Sequence, residues 1–208
     1  MLDLPHPMVN KKSLHRNIEL LYEIGTLRHI TRGWKQHIGT NCANTMEHTL
    51  RVMWIALILA KMEGIKCNEA KIMQMALTHD LADIRTVDLS YVQKMYMQDN
   101  DDPAITDTLR GTALADLFGV FKEYKSRKSR EAQIVKDADN LDVDLEMREL
   151  EEQGHQLPRK WHPQRKNIVF KKLYTKSARK LWKQIYTTDV SSWHLGNNKW
   201  FKIPSAGK

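Results

Sequence analysis

Two histidine–carboxylate pairs and one acidic cluster give this sequence side chains that could bind a metal ion. They are Glu47-His48, His79-Asp80 and the segment Lys136-Asp137-Ala138-Asp139. Imidazole nitrogen combined with carboxylate oxygen suits a divalent Mn, Fe, Co or Zn ion, and Mg²⁺ fits if several waters stay bound. Each group also has a plain structural explanation, as a hydrogen-bonded histidine or a solvated carboxylate. The metal-site hypothesis therefore depends on the three groups meeting in the fold.

The elements that would position these groups are helices. Apolar residues recur at helical spacing, and strand-like alternation is scarce. The pattern predicts helices over 13–30, 45–62, 68–79, 102–118, 129–153 and 177–187, with a loop over 31–44. The residues expected to face inward from the first helix are Leu14, Ile18, Leu21, Leu27 and Ile30. The sequence thus predicts an all-α fold in which His79 closes one helix.

Composition is that of a globular protein. The 208 residues are 41% hydrophobic and 28% charged, enough for one sizeable domain. No stretch approaches the roughly 20 apolar residues of a membrane helix, and the N-terminal MLDLPHPMVNKK does not resemble a signal peptide. Cys42 and Cys67 have neither metal nor disulfide spacing. We therefore expect a cytoplasmic protein that does not enter membranes, in the host cytoplasm if the source is viral.

Charge divides the chain unevenly. Of 33 Lys/Arg and 25 Asp/Glu, residues 155–208 hold 13 of the basic residues and a single acid, Asp189. We expect a core over 1–154 and a basic, aromatic-rich helical extension over 155–208 that packs on it. Such an extension could cover the core or a second subunit, could bind single-stranded nucleic acid through its cations and aromatic rings, or could enlarge a phosphate pocket.

Taken together, the motifs resemble a known family. The pattern H…HD…D, met by His48, His79-Asp80 and an aspartate of VKDADNLD, resembles the HD-domain metal-dependent phosphohydrolases. The similarity extends to the branch of 5'-deoxynucleotidases and phage relatives that hydrolyse dATP. The similarity lies in the segments RGWKQHIGTNCANTMEHTLRV, HDLADIRTVDL and K-x-A-D, and there is a weaker match at Trp193-His194-Leu195. The resemblance covers roughly residues 14–153.

The resemblance implies a helical bundle with a metal site between helices. The implied metal ligands are His48, His79, Asp80 and Asp139. The implied substrate-binding residues are Arg32, Trp34, Lys94 and Lys136. Asp83 and Asp88 are the implied catalytic acids, and relatives of this kind are commonly dimers, so we expect a homo-oligomer.

Three departures from the family pattern concern the loops around the site. Asp83 stands where the family has a glutamate, so its carboxylate is one methylene short of the usual reach. It could act through a water or leave the role to Asp88. Val87 replaces a glycine before that second acid, and Gly33 separates Arg32 from Trp34.

The resulting functional expectation is a metal-dependent hydrolase of nucleotides. We expect a 5'-deoxynucleotidase that releases phosphate from deoxynucleoside monophosphates. The alternatives are a triphosphohydrolase of dATP type on the same site and a nucleic-acid-binding protein that uses the basic extension. A two-metal oxidative enzyme is disfavoured because no histidine lies between His48 and His79 to supply further ligands.

Overall fold

The computed structural model describes residues 11–39, 42–64 and 67–196, and this part of the chain contains helices without strands. The prediction of an all-α fold is confirmed. The helices are α1 Lys11–Gly25, α2 Lys35–Ile38, α3 Thr45–Glu63, α4 Glu69–Thr78, α5 Asp83–Thr86, α6 Tyr91–Lys94, α7 Asp101–Leu109, α8 Leu117–Ser126, α9 Arg130–Glu152, α10 Leu157–Gln164, α11 Phe170–Lys172, α12 Lys176–Ile185 and α13 Ser192–Gly196. A 3₁₀ turn over Thr26–His29 follows α1, and a π-helical turn over Arg165–Val169 follows α10.

The long helices α3 and α9 form the centre of the bundle, and local sequence sets where they begin. Asn44 and Glu47 cap α3 reciprocally, since each side chain accepts the backbone N–H of the other residue. Ser129 caps α9 by accepting the N–H of Ala132. These caps fix the N-terminal ends of the two helices that carry His48 and Asp139.

The core has two parts. The larger lies between α3, α4, α8, α9 and α12, and includes Leu59, Ile72, Leu141 and Trp182. The smaller joins α1 and the 3₁₀ turn to α7 and α8 around Phe121. Because α12 contributes to the larger core, this helix packs directly on the central helices. None of the described helices is long and apolar enough to span a bilayer.

Two helix predictions were wrong in detail. The helix expected over 102–118 ends at Leu109, because Gly111 turns the chain with φ +72°, and a separate helix, α8, runs on to Ser126. A short helix, α2, also stands inside the expected loop over 31–44.

Of the residues expected to face inward from the first helix, Leu27 is buried and Ile30 packs against the smaller core, but the three that lie in α1 do not face inward. Leu14, Ile18 and Leu21 are exposed, and Leu20 is the buried residue of that helix. The helical period was right, but α1 contacts the bundle through a different side of its surface, which leaves an apolar face outside.

Asp144 is one of the buried carboxylates of α9 that hold residues of the C-terminal segment. Asp144 accepts two hydrogen bonds from Arg165, at 2.9 and 2.7 Å. It also accepts the indole N–H of Trp182 at 3.0 Å and the hydroxyl of Tyr186 at 2.8 Å. Every acceptor position of Asp144 is therefore used to hold α10 and α12 in place.

Candidate metal centre and substrate cavity

Two histidines and an aspartate meet where α3 passes the end of α4. His48 lies in the first turn of α3, His79 follows the last residue of α4, and Asp80 comes next. The Nε2 atoms of the two histidines are 3.2 Å apart. Asp80 Oδ2 lies 3.4 Å from Nε2 of His48 and 3.3 Å from Nε2 of His79. Three potential ligand atoms thus converge on one point.

The other ring nitrogens define how the histidines are protonated. His48 Nδ1 is 2.5 Å from Asp142 Oδ2, and His79 Nδ1 donates to the carbonyl oxygen of Ala76 at 2.8 Å. With a proton on each Nδ1, both Nε2 lone pairs point toward the same space. Outer hydrogen bonds of this kind orient histidine ligands in metal sites.

Asp139 joins the cluster from α9. Its Oδ1 lies 3.3 Å from His48 Nε2, and its Oδ2 accepts a hydrogen bond from Lys136 at 2.5 Å. Asp137, the alternative in the same segment, accepts the backbone N–H groups of Tyr174 and Thr175. Asp137 therefore holds the extension, whereas Asp139 lies beside the histidines.

The carboxylates of Asp80 and Asp139 are ionised, so the space between them and the two histidines favours a cation. Burial alone would raise the pKa of Asp139, but Lys136 and His48 lower it well below its usual range. Burial also acts on Asp80, whose pKa is nevertheless lowered by the two histidines and Arg32.

The pKa of His48 is also shifted by the surrounding carboxylates. Burial and the Arg32 cation act to lower its pKa, but hydrogen bonds to three surrounding carboxylates outweigh them and raise the pKa well above the usual value. Either a proton on His48 or a metal cation satisfies these carboxylates. The nitrogen and oxygen donors present therefore fit a divalent ion.

A loop carrying Asp88 closes over this cluster. Arg32 Nη1 lies 3.0 Å from both Asp80 and Asp88, and the N–H of Gly33 donates to Asp88 at 3.1 Å. A Cβ at Gly33 would lie only 2.8 Å from the backbone nitrogen of Ser90, so the inserted glycine permits the close contact between the loops. Val87 adopts φ 58° and ψ 162°, a conformation that favours glycine.

The substituted acid Asp83 is the first residue of α5 and is partly buried. Burial raises its pKa to about 9, and the charges of Asp80 and Asp88 act in the same direction. The carboxyl group therefore keeps its proton at neutral pH when no metal is bound. Among the described residues that line the cavity in front of the cluster, Asp88 is present and Asp83 is not.

That cavity has a volume of about 540 Å³. The expected site residues that line it are Arg32, Trp34, His79, Asp80, Asp88, Lys94, Lys136 and Asp139. His48 lies beneath its floor, and Lys94 is 60% exposed at the rim, 4.0 Å from Asp88. Arg32 packs over the Trp34 ring, with Cζ 4.7 Å from the ring centroid. Arg32 Nε and Trp34 Nε1 are buried, and neither has a hydrogen-bond partner within the described residues.

Sequence reasoning missed several residues around the cavity. Asp142 orients His48, and its position three residues after Asp139 on α9 was the only available signal. Tyr124 and Arg127 line the cavity from the C-terminal end of α8, a helix that the pattern did not separate. Trp161 lines it from α10. The Trp193-His194-Leu195 segment lies in α13, which contributes no side chain to the described cavity.

The sequence profile of the HD domain matches residues 24–186. The chain belongs to the HD-domain family. Its HD motif is the His79-Asp80 pair, which stands at the centre of the cluster described above.

Curated HD-domain relatives carry a common name. The chain is 30% identical over 155 residues to 5'-deoxynucleotidase HDDC2 of Dictyostelium discoideum, covering 69% of this chain and 82% of that protein. It is 28% identical over 142 residues to 5'-deoxynucleotidase HDDC2 of Danio rerio, covering 65% and 70%.

Solved structures share the HD-domain fold. A conserved hypothetical protein from Pyrococcus furiosus superposes with a TM-score of 0.70 at 25% identity, covering 82% of this chain and 99% of that one. A predicted metal-dependent phosphohydrolase from Magnetospirillum magnetotacticum superposes with a TM-score of 0.69 at 18% identity, covering 87% and 94%. The second similarity bears on the fold alone.

Proposed function

We propose that this HD-domain protein is a metal-dependent 5'-deoxynucleotidase that releases phosphate from deoxynucleoside monophosphates. The observation that carries the proposal is the convergence of His48, His79 and Asp80 beneath a cavity lined by both cations and aromatic rings. The names of the curated relatives support the same reaction. Two unpaired cysteines suit the reducing cytoplasm, where we place the protein.

We propose His48, His79, Asp80 and Asp139 as the metal ligands. The ion would be Mn, Fe, Co or Zn, and Mg²⁺ is also compatible with the donor set. When bound, such an ion supplies Lewis acidity toward a phosphate oxygen and lowers the pKa of a coordinated water.

The cations in the cavity are proposed to bind the phosphate group. Arg32 and Lys136 each already contact a carboxylate of the cluster, so their charged groups are held beside the position of the reacting phosphorus. Lys94 would reach in from the rim. Trp34, with its unpartnered indole N–H, is proposed to contact the sugar.

Hydrolysis requires one proton to leave the attacking water and another to reach the leaving 5'-oxygen as the P–O bond breaks. We propose Asp88, which faces the cavity, as the acceptor that positions the water. Asp83, whose pKa is raised by burial in the metal-free protein, is proposed to donate a proton toward the leaving oxygen through an intervening water, because its own side chain does not line the cavity.

One observation favours a triphosphate substrate as a second candidate. Lys125, Arg127 and Lys136 line the same end of the cavity and could hold further phosphates. These cations belong to α8, its C-cap and α9, and not to the basic extension. For the extension we propose packing on the core and shaping the cavity, with nucleic-acid binding as the alternative role.

We also propose that the protein is a homo-oligomer. The exposed apolar face of α1, with Leu14, Ile18, Leu21 and Tyr22, supports this proposal. Light scattering after size-exclusion chromatography would report the molar mass. A monomer at micromolar concentration would contradict it.

The function is tested with His79→Ala and Asp80→Ala. Both variants should lose bound metal, measured by mass spectrometry, and should lose phosphate release from a panel of deoxy- and ribonucleoside mono- and triphosphates. His29→Ala, an exposed histidine outside the cavity, is the matched control. Orthophosphate as the product from monophosphates supports the main proposal, and tripolyphosphate supports the second candidate. Retained metal and unchanged hydrolysis in both variants would contradict the site.

A further inference from the structure

We infer that the cavity holds the nucleobase against Trp161 and His37, at the end formed by the C-terminal extension. The inference rests on the proposed function, since it assigns a part of the same cavity to a part of the nucleotide. The supporting observation is that one end of the cavity is lined by cations and the other by aromatic rings.

Helix α9 gives the cavity its direction. Five residues of α9 line it, namely Lys136, Asp139, Asn140, Val143 and Met147. With a rise of 1.5 Å per residue, Val143 lies about 6 Å and Met147 about 12 Å beyond Asp139 along the helix axis. The lining thus changes from cationic to apolar while it passes the candidate metal ligand.

The cationic end is completed by α8. Tyr124 and Arg127 lie close enough to Lys136 to influence its pKa, which is raised above its usual range chiefly by Asp139. This end suits phosphate oxygens, and the Phe121 and Tyr124 rings that also line it are almost fully buried, so they offer little free surface to a base. A nucleotide whose phosphorus lies at Asp139 therefore extends its sugar and base in the opposite direction.

The opposite end is aromatic. Trp161 of α10 and His37 of α2 line the cavity there, and their rings meet edge to face with centroids 6.3 Å apart. Trp34, three residues before His37, continues the aromatic surface toward Arg32. A planar base gains favourable contact with such rings whatever its identity.

The support for Trp161 is rigid. Arg165, one turn further along the chain, is tied to Asp144 and also donates to the carbonyl oxygen of Asn140 at 2.7 Å. His162 packs against the rings of Trp182 and Tyr186, with centroids 5.7 and 4.2 Å away. One side of α10 is thus fixed on the core while Trp161 faces the cavity.

The charge of Arg165 is neutralised by its pairing with Asp144, so this cation does not make the aromatic end a second phosphate site. A polar group that lines the cavity from α10, beside Trp161, is the amide of Gln164. An amide both donates and accepts hydrogen bonds, which suits the polar edge of a base.

The test compares substrates with and without a base. For Trp161→Ala, we expect KM for deoxynucleoside monophosphates to rise about tenfold with kcat nearly unchanged, because a base–aromatic contact is lost. KM for 2-deoxyribose 5-phosphate, which has no base, should stay as in wild type. The affinity for deoxyadenosine, followed by calorimetry, should fall by a similar factor. Trp161→Phe should restore most of both values.

Trp54→Ala is the matched control, since Trp54 is 64% exposed on α3 and does not line the cavity. Equal losses for dAMP and 2-deoxyribose 5-phosphate would overturn the inference, because Trp161 would then act through the fold. Unchanged binding of deoxyadenosine to Trp161→Ala would overturn it too. Failure of the proposed function has a different result, namely no phosphate release from any 5'-deoxynucleotide by the wild-type protein.

Discussion

His48 Nδ1 lies 2.5 Å from Asp142 Oδ2, and neither side chain has exposed surface. The contact joins α3 to α9 and presents the free Nε2 of His48 to the other candidate ligands. We predict that Asp142→Asn lowers the affinity for a divalent metal about 10- to 100-fold, as expected for loss of a carboxylate behind a histidine ligand.

The measurement for Asp142→Asn is metal titration of chelator-treated protein. Glu149→Gln is the matched control, because Glu149 shares the Arg51 partner of Asp142 but does not contact His48. Equal metal affinity in wild type and Asp142→Asn would show that the hydrogen bond does not orient the ligand.

Asp83 should make stability depend on pH. The carboxyl group keeps its proton up to about pH 9 in the folded protein, whereas it ionises near pH 4 when unfolded. Between these values the folded state binds more protons, so the free energy of unfolding falls as pH rises. In chelator-treated protein, Asp83→Asn should therefore be more stable than wild type by on the order of 1 kcal/mol or more at pH 8, with the difference vanishing near pH 4.

Urea unfolding at several pH values measures the Asp83 effect. Asp116→Asn, at an exposed aspartate, should follow the wild-type curve. A constant offset between Asp83→Asn and wild type at every pH would be inconsistent with a protonated Asp83.

Val87→Gly should stabilise the protein. A β-branched residue at φ 58° is strained by roughly 1–3 kcal/mol, whereas the added chain entropy of glycine costs roughly 0.5–1 kcal/mol. The net gain should be about 1 kcal/mol in urea unfolding. Val92→Gly, at an ordinary helical position in α6, should instead lose stability. A destabilised Val87→Gly variant would mean that side-chain contacts of this half-exposed valine outweigh its strain.

Asp144→Ala should lower the free energy of unfolding by about 3–5 kcal/mol, the range for breaking one partner of a buried ion pair. Arg165 would be left without its carboxylate, and Trp182 and Tyr186 without their acceptor. Thermal unfolding measures the loss, with the exposed Asp189→Ala as control. A loss below about 1 kcal/mol would indicate that apolar packing and the hydrogen bonds to Asp137 hold these helices without the Asp144 ion pair.

The sequence predicted the parts of the fold that depend on local pattern. Periodicity located α3, α4, α9 and α12, and the HD motif located the end of α4. The break after Leu109 was missed because a single glycine, Gly111, stands within a continuous helical pattern.

Contacts distant in sequence were beyond prediction. Asp142 is one of several acids on α9, and nothing local in the sequence shows that its partner is a histidine on α3. The sequence showed Trp161 only as one of many aromatic residues in the basic C-terminal region. Its contact with His37 depends on how Arg165 fixes α10. Pattern identified the helices and the motif, and non-local pairing determined the shape of the cavity.

The meeting of His48, His79, Asp80 and Asp139 has a consequence for the lifetime of the protein. A divalent ion held there would act as a cross-link between α3, the end of α4 and α9, which are distant along the chain. Bound ions stabilise the folded state according to their free concentration relative to Kd. When the cation supply fell, this cross-link would be lost, and the carboxylates would be compensated only by Arg32, Lys136 and a proton on His48. Resistance to proteolysis would then follow metal availability in the cell.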